Sequence, residues 1–271
     1  MVRPSRRIVF PIGVAIFVDS FPFEKEARPV PLDPAAFARI RLGFEPDERQ
    51  EMLLRSEAKQ GILNCSRQWG KSTVAAIKAV HRAISTDGSL VVVASPTERQ
   101  SAEFLLKVKG FVRELSLPVK GDGHNRVSVR LPNGSRIVGL PGNFEGNIRG
   151  FSAVSLLIID EASRVTDNLY RALRPMLTVA NGDVWLLSTP YGRRGFFHEV
   201  WERGGEGWVR FRVPATECER LSKERLEMER VAMGDAWFRQ EYLCEFMASD
   251  RGMFDPDMIL AAVVEGEGWR V

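Results

Sequence analysis

The chain has 271 residues, 44% of them hydrophobic and 27% charged, which excludes wholesale disorder and provides enough apolar material for one large domain or one domain with a small appendage. A net charge of +3 is too mild to demand a nucleic-acid partner and does not oppose one. Cys65, Cys218 and Cys244 match no zinc spacing and no disulfide framework, so reduced thiols are expected.

The chain opens with an apolar run from Ile8 to Val18 behind Arg3, Arg6 and Arg7. This has the outline of a signal peptide, but it is too short to span a bilayer as a helix and no small-x-small cleavage site follows. Residues 1–31 are therefore read as an N-terminal extension, not an export signal or a membrane anchor. Residues 23–34, rich in proline and charge, read as a linker. Asp33 is expected to cap a helix through Leu42, and Asp47 to start a second one carrying Gln50, Met52, Leu53 and Leu54. Ile62 to Cys65 reads as a short strand, followed by a tight turn at Gly70. From Ser72 the apolar positions Ile77, Val80 and Ile84 have helical spacing.

That strand, turn and helix frame the segment Cys65-Ser66-Arg67-Gln68-Trp69-Gly70-Lys71-Ser72-Thr73. It matches the phosphate loop G-x-x-x-x-G-K-[ST] at Gly70, Lys71 and Ser72, with Cys65 in place of the first glycine. Gly70 lets the backbone approach phosphates, and the N–H groups at the helix start point at them with the helix dipole behind. Lys71 is expected to reach the β- and γ-phosphates of ATP, and Ser72 to offer its hydroxyl to Mg²⁺. Arg67 is either a solvated loop residue or a phosphate contact, since a guanidinium grips two oxygens at once.

Leu90 to Ala94 is an unbroken apolar run, as in a strand buried on both faces. Thr97 is expected to cap the next helix, with Gln100 at the capping-box position and Ala102, Leu105, Val108, Val112 and Leu115 buried. Val127 to Leu131 and Arg136 to Leu140 alternate around Pro132-Asn133-Gly134 and predict a hairpin. Leu156 to Ile159 reads as a buried strand ending in Asp160-Glu161. The carboxyl end of such a strand opens where ligands of open sheets bind. Asp160 suits Mg²⁺, and Glu161 suits the attacking water as base or orienter. Val184 to Leu187 is a further strand, ending in Ser188-Thr189-Pro190, which is either an ordinary strand-ending turn or a segment whose hydroxyls touch the γ-phosphate or its water. Trp208 to Val213 is another. After Pro214 only charged helices are expected, over Glu219 to Met233 and Asp235 to Phe246. The pattern predicts an α/β P-loop NTPase with a mainly parallel sheet flanked by helices, of the additional-strand, catalytic-glutamate type. Residues 32–214 would form the ATPase core, and 215–271 a small C-terminal helical lid and the start of a linker.

Several of these motifs together resemble the ATPase domain of the large terminase subunit of tailed bacteriophages. They are Arg67-Gln68-Trp69-Gly70-Lys71-Ser72, Ser95-Pro96-Thr97 with Gln100, Asp160-Glu161-Ala162, Ser188-Thr189-Pro190-Tyr191-Gly192 and Phe238-Arg239-Gln240-Glu241-Tyr242. The resemblance runs from about Gly43 to Asp257. It implies that ATP hydrolysis drives double-stranded DNA into a procapsid from a homo-oligomeric ring in the cytoplasm, with portal protein and small terminase subunit as partners and no membrane. It implies that Gln50 reads adenine, that Ser188 and Thr189 couple hydrolysis to movement, and that Arg149, in Ile148-Arg149-Gly150, acts in trans on a neighbour's ATP. The family continues into a nuclease domain. No stretch of this sequence is long enough for it, so nuclease activity is not expected of the chain, which would be a fragment or a truncated reading frame.

Two other functions fit the same motifs: a helicase-like DNA-dependent ATPase, and a truncated relic that binds nucleotide without packaging. A helicase of that class needs a second motor domain. Lys107, Lys109 and Arg113 on one helix, and Arg126, Arg130 and Arg136 in or beside the hairpin, are either DNA contacts or solvated surface.

Overall fold

The structure, a computed structural model, describes residues 32–142, 150–218 and 220–248. The N-terminal extension with its apolar run, Ile148-Arg149, Glu219 and the linker from residue 249 lie outside the described residues. The described residues from Asp33 onward form one unit.

Among the described residues, seven strands form one sheet: β1 (Gln60–Cys65), β2 (Leu90–Ser95), β3 (Ser128–Arg130), β4 (Arg136–Pro141), β5 (Val154–Asp160), β6 (Asp183–Ser188) and β7 (Val209–Val213). Their spatial order is β3-β4-β2-β5-β6-β1-β7. Every pairing is parallel except the β3–β4 hairpin. The apolar runs become the central strands because helices cover both faces there, so neither set of alternating side chains meets water. Along β2, Val91 and Val93 enter one core cluster while Val92 and Ala94 enter the other. On the first face lie α1 (Pro34–Leu42), α2 (Glu48–Arg55), α3 (Lys71–Ser85) and α4 (Glu98–Glu114). On the second lie α5 (Asp167–Leu173) and α6 (Gly195–Arg203).

Caps fix the helix starts as the sequence suggests. The Asp33 carboxylate accepts from the N–H groups of Ala35 and Ala36, and Thr97 accepts from Gln100. Asp47 and Gln50 form a reciprocal capping box. In α4 the buried face differs from the expected one. Ala102 and Leu115 are only half-buried, while Ser101 and Phe104 are inside. Ser101 is tolerated there because its hydroxyl donates to the Leu140 carbonyl at 2.9 Å.

The C-terminal helices are shorter than expected. Helix α7 (Lys223–Met233) begins where Ser222 caps it, and α8 (Asp235–Glu241) stops five residues before Phe246. Beyond α8 the backbone is claimed by the sheet. Ala215 N–H donates to Tyr242 O at 2.7 Å, the Arg212 guanidinium to Leu243 O at 2.7 Å and the Asn64 amide to Cys244 O at 2.9 Å. Cys244 adopts φ +59°, which a helix cannot contain. Ala215, Leu226, Phe238 and Tyr242 make a small core of their own beneath α7 and α8.

The strand order positions the site. Strand β6 lies between β1 and β5, with Asn64 opposite Ser188 and Asp160 opposite Leu187. The carboxyl ends of the phosphate-loop strand, the hydroxyl-bearing strand and the acid-bearing strand therefore open side by side.

Candidate active site

The phosphate loop leaves β1 and enters α3 through two left-handed residues, Gln68 (φ +63°) and Gly70 (φ +97°). A side chain at Gly70 would be strained by that φ and would crowd the Gln50 amide, 3.3 Å from its Cβ. The loop is tethered from outside: Ser66 N–H donates to Val213 O at 2.9 Å and Arg67 N–H to Glu241 O at 3.3 Å. Ser66 is wholly buried, and so is the Trp69 indole, which packs in the main core. Only the backbone of Trp69 faces the site, while Arg67 and Gln68 are exposed at the loop's tip. Lys71, Ser72 and Thr73 form the first turn of α3 and are half-buried. The positive end of this fifteen-residue helix thus opens beside them.

The acids meet this turn. The Ser72 hydroxyl lies 3.0 Å from Asp160 Oδ2 and 3.2 Å from Oδ1, and Lys71 Nζ lies 3.1 Å from Glu161 Oε1. Burial, reinforced by the Glu161 charge, raises the Asp160 pKa despite Lys71 and the Ser72 hydrogen bond. Burial also works against the Lys71 charge, but Glu161 and Asp160 outweigh it and hold its pKa above the usual lysine value. Glu161 sits at φ +54°, ψ +43°. A non-glycine residue there stores strain, as functional positions do. Its N–H donates to Asp160 Oδ1 at 3.2 Å, while the two carboxylates meet different partners, Ser72 and Lys71.

The hydroxyls at the end of β6 join both halves. Thr189 Oγ1 donates to Cys65 O, where the loop begins, at 3.1 Å. Ser163 donates to Thr189 O at 2.8 Å and, having one proton, accepts from Ser188 at 2.7 Å. Ser163 follows the acid pair by two residues and belongs to no motif legible in the sequence. Two guanidinium groups lie over the Tyr191 ring, Arg164 at 4.2 Å and Arg194 at 4.6 Å from its centre. Gln240 accepts from Gly192 N–H at 3.1 Å, linking α8 to the same segment.

Arg67 Nε is 2.5 Å from Glu241 Oε2, a bond that raises the Arg67 pKa. Glu241 is buried on α8, and its other oxygen lies 3.9 Å from Arg164. In the sequence Glu241 was legible only through the family motif. Gln50 is 2% exposed: its Oε1 accepts from Asp47 N–H at 3.1 Å and its Nε2 donates to Trp69 O at 3.0 Å. One acceptor site and one donor of its carboxamide remain. A pocket of about 530 Å³ lies against Gln50. A larger cavity, about 980 Å³, between α6, β7 and the segment after α8, contains no residue of the loop or acid pair. Size alone therefore does not locate the chemistry. Arg149 lies outside the described residues.

The donors at this centre suit Mg²⁺. A hydroxyl and a carboxylate are hard oxygen ligands, and no cluster of three or more His, Cys, Asp or Glu side chains suited to a metal occurs among the described residues. Mg²⁺ takes one or two carboxylates and completes its shell with phosphates and water. Of the other basic residues, Arg126 pairs with Glu98 at 3.0 Å and Arg136 with Asp122 at 3.6 Å, and Arg130 is exposed. No helix of the described residues is long and apolar enough to cross a membrane.

The model of the family "Terminase large subunit, T4likevirus-type, N-terminal" matches residues 62–260. The large terminase subunit of Thermus phage G20c is 26% identical over 273 aligned residues, covering 85% of this chain and 55% of that protein. The chain thus spans about half the length of the curated relatives it matches. The large terminase ATPase domain of Thermus Phage P74-26 superposes with a TM-score of 0.71 at 25% identity, over 80% of this chain and all of that one. The large terminase of another thermophilic bacteriophage, solved in complex with ADP, shares the fold at 14% identity with a TM-score of 0.65, over 74% of this chain and 54% of that one.

Proposed function

Because this chain belongs to the terminase large subunit family, in its N-terminal part, we propose that it hydrolyses Mg-ATP at the meeting point of β1, β5 and β6. We propose further that it does so as the motor of double-stranded DNA packaging. The observation that carries this reading is the convergence of Lys71, Ser72, Asp160 and Glu161, brought together from two distant sequence segments at the carboxyl ends of the inner strands.

In this mechanism the first turn of α3 and the loop backbone receive the phosphate chain. The Lys71 ammonium exchanges its contact with Glu161 for the β- and γ-phosphates. Ser72 and Asp160, whose oxygens lie 3.0 Å apart, would hold Mg²⁺, which when bound would supply charge neutralisation on the phosphate oxygens. Release from Lys71 leaves the Glu161 carboxylate to orient the attacking water and accept its proton. Thr189 and Ser188 connect the loop to the acid segment, so that a change at the phosphate is felt along β6 and in Tyr191. Arg67 and Arg149 are assigned to transition-state charge, Arg149 across a subunit interface. A ring of copies, a portal protein and a small subunit on the procapsid in the cytoplasm complete the proposal, by analogy with the family. The test is phosphate release. The chain should turn over ATP only with Mg²⁺, and Lys71→Ala should abolish turnover in a folded protein. Unchanged turnover in Lys71→Ala would overturn the assignment.

A further inference from the structure

The carbonyl of Trp69, the last residue before the Gly70-Lys71-Ser72 turn, receives two side-chain donors. One is Gln50 Nε2 at 3.0 Å, the other Arg220 Nη2 at 2.6 Å. Arg220 belongs to the segment between β7 and α7, 151 residues along the chain from Trp69. The pocket of about 530 Å³ beside them is walled by Phe44, Pro46, Asp47 and Gln50 on one side and by Glu217 and Arg220 on the other. It suits a nucleoside in size, since ligand pockets run from roughly 300 to 1,000 Å³.

The two donors differ in what they leave over. Gln50 is buried and fixed in its plane by the Asp47 cap, so it can read only an edge. A contact at the edge leaves the faces of a base to other groups. Arg220 is the opposite case: its side chain is 58% exposed, its charge lies 3.9 Å from Asp47 Oδ2, and its guanidinium is flat. Such a plane stacks on a π-face without regard to which base carries it.

The geometry points to Arg220 as the base-stacking residue of this site, with Gln50 beside it as the edge reader. This rests on the nucleotide reading above and adds a division of labour. Arg220 supplies affinity for any purine nucleotide, and Gln50 supplies the preference for adenine.

The test is equilibrium binding of ATP, GTP and base-free tripolyphosphate to the chain and its variants. Arg220→Ala should weaken ATP and GTP alike, roughly tenfold, and leave tripolyphosphate unchanged. Arg220→Lys keeps a charge and a donor for the Trp69 carbonyl but has no flat face, and should weaken both nucleotides nearly as much. Gln50→Ala should weaken ATP more than GTP. If Arg220→Ala weakens tripolyphosphate as much as ATP, or if Arg220→Lys binds as the unsubstituted chain does, Arg220 merely braces the loop and the inference is wrong. If the unsubstituted chain binds neither ATP nor tripolyphosphate, the nucleotide reading itself falls, and this inference with it.

Discussion

At the scale of single residues, Lys71, Ser72, Asp160 and Glu161 were legible because each follows a local rule. A Gly-Lys-Ser turn sits between strand and helix, and an acid pair ends a buried strand. Ser163, Glu241 and Arg220 follow none. They reach the site through tertiary packing, from a turn, a peripheral helix and a connecting segment. The main residue prediction is that Asp160→Ala, like Lys71→Ala, abolishes phosphate release with the far-UV spectrum unchanged. Two other residues bear on stability. Asp122 accepts from the N–H groups of His124 and Asn125 and from the Ser128 hydroxyl, at 2.8 to 3.0 Å. Against a burial cost, these bonds hold its pKa down to about 2. Its contribution is therefore present above the ordinary aspartate value and lost as pH falls through about 2. Asp122→Ala should cost about 1–3 kcal/mol near neutral pH, read by denaturant unfolding, because it strands those donors.

Lys78 runs the other way. It reaches the carbonyl of Ser56 at 2.8 Å beneath α2 and lies 4.5 Å from the Trp185 ring centre. Burial lowers its pKa to about 8. Between about 8 and the unfolded lysine value the unfolded chain binds more protons, so this group makes stability rise with pH across that window. Unfolding free energies measured from about pH 7.5 to about 10.5 should show a component of that sign which Lys78→Met removes. An identical pH profile in the variant would contradict the assignment.

At the scale of elements, apolar runs were enough to find the inner strands β1, β2, β5 and β6, since burial on both faces leaves a continuous mark, and alternation found β4 and the edge strands β3 and β7. The order of the strands was not open to the same reading, because it is set by pairings between distant segments. Two failures have specific causes. In α4, Ser101 is inside because Leu140 offers a carbonyl, which no hydrophobic period records. Helix α8 stops at Glu241 because Asn64 and Arg212 capture the carbonyls that follow, overriding a helical composition. The β1–β6 contact that aligns the site has its own requirement. A Cβ on Gly61 would stand 2.5 Å from the Trp185 ring, and that ring is buried. Gly61→Ala should lower stability by about 1–3 kcal/mol, seen as a reduced Tm. An unchanged Tm would mean that the indole can move aside.

At the scale of the whole molecule, the family and the fold were both legible, since the loop, the acid pair and the Ser-Thr-Pro segment are each specific in form and follow one another in order. Assembly is a proposal that rests on resemblance alone. If Arg149 acts in trans, specific ATPase activity should rise with protein concentration. Arg149→Ala should be inactive alone yet regain activity when mixed with Glu161→Gln, whose intact Arg149 serves the neighbour's intact Glu161. No rescue and no concentration dependence would shift that role to Arg67.

The central claim is that Glu161 performs chemistry after Lys71 and Asp160 have bound the nucleotide, and one paired measurement tests it most directly. ATP binding and steady-state phosphate release would be followed for the unsubstituted chain and for Glu161→Gln, with Mg²⁺, at protein concentrations high enough for copies to meet. The account predicts near-equal ATP affinity and a turnover at least about a hundredfold lower in Glu161→Gln, in line with the loss of a general base. Turnover in Glu161→Gln matching that of the unsubstituted chain, or a collapse of its ATP affinity, would contradict it.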